Sequence, residues 1–222
     1  MKTQLATLNS WARQHHWQIA FLFVGILLPL ALFGKLADEI HEGGSFSWDV
    51  AVLQWMHLHA TPHRDSLIAI ATRTGGVLTV PFIIAVVFAL RFLKRADNAT
   101  FFAFTVIGAY ALNALAKRFF HRVRPALWIS PAPEISFSFP SGHSMVSMAV
   151  AAAFIILAWN TKWRWPVFVI GLLSAFVVGV SRIYLGVHYP SDVLGGWSAG
   201  LIWACGLYLI LRRGKKQPVA LS

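Results

Sequence analysis

Three short stretches hold most of the residues in this chain that could do chemistry: KRFFHRVRP at 117–125, FPSGH at 139–143 and SRIYLGVHYPSD at 181–192. They supply three cations (Lys117, Arg124, Arg182), two histidines (His143, His188) and a carboxylate, Asp192, four residues after the second histidine. Cations held at a membrane boundary are costly unless they meet an anion. The chain has only 8 acidic residues, and of these only Glu134 and Asp192 lie in this region. The cations are therefore expected to be free of protein carboxylates and open to an anionic ligand. The same scarcity argues against a Mg2+ or Ca2+ site, which needs several oxygen ligands, so no metal and no cofactor is expected.

Pro140 and Ser141 read as the entry to a helix. Its first N–H groups have no intrahelical acceptor and point, with the positive end of the dipole, at whatever lies beyond the terminus. Gly142 permits close backbone approach and Ser141 adds a hydroxyl donor, so a helix N-terminus and three cations make a phosphate cradle. Pro190 forbids an ordinary helix through both His188 and Asp192, which makes this a turn into a helix with Ser191 as its cap. A carboxylate holding one imidazole nitrogen leaves the other free to attack. His143 can then protonate the leaving oxygen. Taken singly, Arg122 and Arg124 suit headgroup snorkelling, PSGH a capped helix start, Asp192 a helix-start residue and His188 an interfacial histidine. Their coincidence on one side of a membrane points to a phosphate-handling site.

The elements that must position these residues are apolar. The chain of 222 residues is 57% hydrophobic and 12% charged, against roughly 25% charged in soluble domains. Six segments, at 17–34, 75–93, 99–116, 144–160, 165–181 and 193–211, approach the ~20 residues that cross a bilayer. The expected architecture is all-α: one membrane domain over 1–222, built as a six-helix bundle, with no cleaved signal peptide. The net charge of +11 does not suggest nucleic-acid binding, because the basic residues sit at the ends of apolar segments. Eleven of the 19 Lys and Arg residues, including Lys2, Arg13, Lys215 and Lys216, fall on the side of the termini. The positive-inside rule then puts both termini in the cytoplasm and the three stretches outside. Residues 45–59 read as an amphipathic helix lying in the interface, with Ser47 as a cap. His57, His59 and His63 have no acidic or cysteine partner at a metal-binding spacing. Cys205, the single cysteine, excludes an internal disulfide. Gly196-x-x-x-Gly200 permits close helix packing within one chain or between two, so oligomeric state is not derivable.

Together and in order, the three stretches resemble the signature motifs of the type 2 phosphatidic acid phosphatase (PAP2) superfamily. The resemblance implies phosphate binding by Lys117, Arg124, Ser141, Gly142 and Arg182. It implies His188 as nucleophile, Asp192 as its partner and His143 as general acid, with a phosphohistidine intermediate. Arg118, His121 and Arg122 fall between motif positions, where solvent or headgroup contacts are expected and Arg122→Ala should keep most turnover. The implied role is a bacterial cytoplasmic-membrane enzyme hydrolysing lipid phosphates at the outer face, with undecaprenyl diphosphate ahead of phosphatidylglycerophosphate, phosphatidic acid and lipid A phosphates. A lipid phosphotransferase and a non-catalytic lipid-binding or transport protein are the alternatives.

Overall fold

The computed structural model describes residues 16–73, 79–130 and 132–213. Lys2, Arg13, Lys215, Lys216 and the first four residues of the expected 75–93 span lie outside the described residues. Among the described residues the chain is helical, without strands. Helix α1 runs through His16–Leu22, a π-helical turn at Phe23–Leu27 and Leu28–His41. It is followed by α2 (Ser47–Leu58), α3 (Pro62–Arg73), α4 (Thr79–Phe92), α5 (Ala96–Phe120), α6 (Gly142–Ala158), α7 (Arg164–Tyr184) and α8 (Pro190–Arg213). By length and apolarity α1, α5, α7 and α8 can cross a membrane, while α4 and α6 are shorter apolar helices.

Several helices run further towards the motif end than hydropathy predicts. α1 continues to His41, α5 to Phe120 and α7 to Tyr184, and α8 starts at Pro190. Lys117 and Arg182 therefore sit inside last turns, not beyond them. A hydropathy boundary marks where polar side chains begin. Here those side chains find protein partners, so the backbone ladder continues past them.

The core lies where α6 packs against α5, α7 and α8. Phe101, Phe102, Val106 and Ala109 of α5 meet Met145, Val146, Ala149 and Ala153 of α6, with Leu207 of α8. The alanine-rich face of α6 lets three neighbours approach one helix. Outward, apolar side chains such as Ile84, Phe88, Ile107 and Phe176 are exposed, as a lipid-facing surface requires. The Gly196-x-x-x-Gly200 pair is used within the chain, since both glycines face α6. A Cβ on Gly196 would lie 2.6 Å from the Ser141 carbonyl oxygen. Gly196→Ala is therefore expected to destabilise the fold by about 1–3 kcal/mol, read as a lower thermal midpoint in detergent. An unchanged midpoint would show that the contact yields.

The connection between α1 and α4 holds two helices where one was expected. Leu53 of α2 packs on Ile183 and Val193, and Asp49 is buried on the same helix, so α2 docks one face onto the protein. Trp48 and Trp55 remain exposed. Ser47 is the first residue of α2, and the N-cap position expected of it is held by Phe46. Beyond it, Asp65 of α3 accepts a 2.8 Å bond from the Tyr184 hydroxyl. Together α2 and α3 cover the ends of α7 and α8 where the motif residues lie.

Candidate active site

Most motif residues are placed by a helix end, with Arg124 and His188 in the segments between helices. Lys117 lies in the last turn of α5, which closes on His121 in a left-handed conformation (φ 47°). From there the 121–141 segment folds back over the site, pinned by a 2.8 Å bond from the Ser138 N–H to the Arg122 carbonyl. His143 is in the first turn of α6, with Ser141 as the N-cap residue. Arg182 is in the last turn of α7, His188 in the short link to α8, and Asp192 in the first turn of α8.

The ends converge. Arg124 Nη1 lies 3.1 Å from His188 Nε2. A guanidinium has no acceptor, so Nε2 must carry the lone pair and Nδ1 the proton. That proton faces Asp192 Oδ2 at 3.4 Å. The carboxylate is held in turn by the Ser138 hydroxyl, the Tyr189 N–H at 2.8 Å and Arg122 Nη1 at 2.5 Å. The Asp192 to Tyr189 bond is the reach-back half of a capping box, so one carboxylate starts α8 and orients His188. Burial pushes His188 down to about 4; Asp192 opposes the shift, and Arg124 and Arg182 add to it. The ring is thus neutral at neutral pH, with Nε2 facing the cations.

The three cations meet around residues 134–137. Lys117 Nζ donates to Ser136 Oγ at 2.8 Å, and Arg124 Nη2 reaches the same oxygen at 3.1 Å. Arg124 Nη2 also pairs with Glu134 Oε2 at 2.6 Å, and Arg182 Nη2 pairs with Glu134 Oε1. His143 Nδ1 is 3.6 Å from Oε1 and His188 Nε2 is 3.9 Å from Oε2. The expectation that no protein carboxylate meets the cations is corrected here. Glu134 sits among all of them, brought in by the fold-back of its segment. Burial pushes its carboxyl up, but Arg182, His188 and Arg124 outweigh that and hold it at about 2. Arg182 is 2% exposed; its Nη1 donates to Thr72 Oγ1 at 2.8 Å, and its Nε has no partner among the described residues.

The profile of the PAP2 superfamily matches residues 98–216. Phosphatidylglycerophosphatase B of Bacillus subtilis is 35% identical over 176 residues, covering 75% of this chain and 85% of that protein. The chain belongs to the PAP2 superfamily. It is a multi-pass membrane lipid phosphatase and so a phosphoric ester hydrolase. The solved structure of a transmembrane PAP2 type phosphatidylglycerolphosphate phosphatase from Bacillus subtilis superposes with a TM-score of 0.76 at 30% identity, over 85% of this chain and 98% of that one. An undecaprenyl-diphosphatase of Sulfolobus acidocaldarius is 35% identical over 96 residues, covering 43% of this chain and 44% of that one.

Within this PAP2 chain two motif residues make their hydrogen bonds and close contacts with groups other than the cations. The Ser141 N–H donates to the Asp192 carbonyl at 3.0 Å and its Oγ accepts from Ser144 at 3.0 Å. A Cβ on Gly142 would meet Asn113 Oδ1 at 2.9 Å, so this glycine makes room for Asn113, whose Nδ2 donates to the Pro140 carbonyl. Ser191 lies inside the first turn of α8; its N–H donates to Asp49 at 2.9 Å, so Asp49 performs the capping expected of Ser191. Arg118 and His121 are exposed, as expected. Arg122 is not: its side chain is 10% exposed, bridges Asp49 and Asp192 and lies 4.3 Å from the Tyr189 ring centre. The headgroup reading of Arg122 is corrected accordingly, and a mild effect of Arg122→Ala no longer follows from it. Sequence reasoning also passed over Ser136, Ser138, Asn113, Thr72 and Asp49. Only the SFS run just before FPSGH carried a local sign of polar traffic.

Proposed function

We propose that this PAP2 phosphatase hydrolyses lipid phosphate monoesters and diphosphates by double displacement. The observation that carries the reading is the convergence of Arg124, Arg182, His143 and His188 on the single Glu134 carboxylate, with Lys117 one hydroxyl away at Ser136. A phosphate oxygen pair takes the place of that carboxylate. His188 Nε2 attacks phosphorus in line, the bond to the lipid-side oxygen breaks, and His143 delivers the proton to that oxygen. Water then attacks the phosphohistidine, His143 accepts its proton, and inorganic phosphate leaves. Lys117, Arg124 and Arg182 stabilise charge on the equatorial oxygens, with the Ser141 hydroxyl and the Gly142 N–H as further donors from the start of α6.

A groove of about 540 Å3, lined by apolar side chains including Phe82, Val150, Phe154, Ile170 and Val178, runs between α4, α6 and α7. Val178 is one helical turn from Arg182 on α7, so a lipid chain in the groove leads to the phosphate position. In this reading all of 1–222 is one domain. α1 and α4–α8 are six spans, α2 lies at the interface, both termini are cytoplasmic and the site faces outwards from a bacterial inner membrane. Undecaprenyl diphosphate is the first substrate proposed. Phosphatidylglycerophosphate is the second, supported by similarity along 85% of a protein named for it.

The test is phosphate release by purified protein in detergent on these two lipids, phosphatidic acid and lipid A, with and without chelator. Release without an added lipid acceptor separates hydrolase from phosphotransferase. Loss of release with chelator overturns the metal-free mechanism, and no release from any lipid overturns the enzyme reading. The pH dependence has a definite sign. kcat/KM reports the free enzyme, in which His188 must be neutral to attack. The acid limb should therefore fall as pH drops through about 4. A limb near 6.5, the ordinary histidine value, would show that burial does not govern this ring.

A further inference from the structure

Behind the His188–Asp192 pair lies a second layer of buried charge. Arg122 Nη1 donates to Asp192 Oδ1 at 2.5 Å and Nη2 to Asp49 Oδ2 at 2.8 Å. Asp49 accepts the Ser191 N–H at 2.9 Å and the Ser191 hydroxyl at 2.5 Å, and that hydroxyl also accepts from Arg122 Nη1 at 2.7 Å. The Tyr189 ring lies against the guanidinium, closing the network. Asp49 is 1% exposed and Asp192 is wholly buried. Asp49 comes from α2, outside the residues matched by the family profile.

We propose that Asp49 and Arg122 are positioning residues for the phosphatase reaction, keeping the Asp192 carboxylate aimed at His188 Nδ1 without touching substrate. The proposal rests on His188 as nucleophile and Asp192 as its partner. The charge arithmetic explains why two residues are needed. Arg122 alone would neutralise Asp192 and draw its charge away from the ring. Shared between two carboxylates, it leaves a net charge of −1 behind His188, where the imidazole becomes cationic on attack. Asp49 alone would leave two buried carboxylates beside Ser191 with no cation between them, a costly arrangement away from water. The fork geometry of arginine also fixes direction, because its two nitrogens reach different helices.

Other groups facing His188 are Arg124, Glu134 and Ser138 from the 121–141 segment, Arg182 from α7 and His143 from α6. The charged neighbour facing Asp49 is Arg122, with Ser191 and Tyr189 completing its polar surroundings. Substituting Asp49 therefore alters the charge behind His188 while leaving the phosphate side intact.

The experiment measures kcat, KM and the pH profile of kcat/KM for Asp49→Asn, Asp49→Glu, Arg122→Gln and the Asp49→Asn/Arg122→Gln double variant, each checked for folding by its thermal midpoint. Asp49→Asn should lower kcat by about tenfold with KM unchanged, within the range of coupling in one buried network. Its acid limb should move to lower pH, because less negative charge supports the imidazolium. Asp49→Glu should restore both. In the double variant the loss should be no greater than in Arg122→Gln alone. A role confined to capping α8 would lower the thermal midpoint without moving the acid limb, and its effect would add to that of Arg122→Gln. That pattern, or wild-type kcat in Asp49→Asn, overturns the proposal. If Asp49→Asn does not fold, Arg122→Lys carries the test. Its charge should keep the acid limb in place while losing the two-pronged bridge lowers kcat by a similar factor, and wild-type kcat there overturns the proposal. His188→Ala is assayed alongside. Wild-type rate in that variant overturns the underlying mechanism, whereas an inactive His188→Ala beside an unaffected Asp49→Asn overturns this inference alone.

Discussion

His188→Ala is expected to reduce phosphate release by about 10⁴-fold or more while leaving the fold and lipid binding largely in place. Everything around the ring is arranged for one nitrogen. Arg124 faces Nε2 and forces the proton onto Nδ1, which points at Asp192 Oδ2 3.4 Å away. Burial keeps the ring neutral, and Nε2 opens towards the carboxylate-occupied anion position. His143 is a poor substitute nucleophile, since the carboxylate its Nδ1 faces, Glu134 at 3.6 Å, holds the position the phosphate takes, and the ring is needed to handle the proton. Rapid quenching into alkali, where a phosphohistidine survives, should label the wild-type protein during turnover and leave His188→Ala unlabelled. Near-normal release by the variant, or label retained in it, would remove His188 from the role.

Arg182→Ala should cost roughly 10²–10³-fold in kcat, the range for losing one donor to a developing oxyanion. Arg182 is the most buried of the three cations, tied by Thr72 at one end and pairing with Glu134 at the other. Its Nε is buried with no hydrogen-bond partner among the described residues. Arg182→Lys should recover little of the rate. An ammonium keeps the charge but cannot span Thr72 and the anion position with one planar fork. The measurement is steady-state phosphate release with the thermal midpoint as control. A fully active Arg182→Lys would show that charge alone suffices and that the fork is incidental.

Much of this was legible in the sequence because it is local. Long apolar runs require helices, since the bilayer leaves backbone groups no other partner, and the helices were found where the runs lie. Pro140 and Ser141 opened α6 as read, and the histidine–carboxylate pair needed only a turn of four residues. Helix ends were less legible: α5 and α7 continued through Lys117 and Arg182, because those side chains are satisfied by residues far along the chain. The 35–74 connection concealed α3, whose polar composition gave no apolar periodicity to detect.

By itself the sequence determined the helical class, the apolar segments and the three motif stretches at their ends, because each depends on neighbours within a turn or two. Only the tertiary structure decided which charges are paired. Asp49 reaches Ser191 across 142 positions, Arg122 reaches Asp192 across 70, and Glu134 reaches Arg182 across 48. Spacing along a chain carries no record of such contacts. A buried charge takes whichever partner the packing of distant helix ends brings within about 3 Å, since leaving it unpaired there costs several kcal/mol.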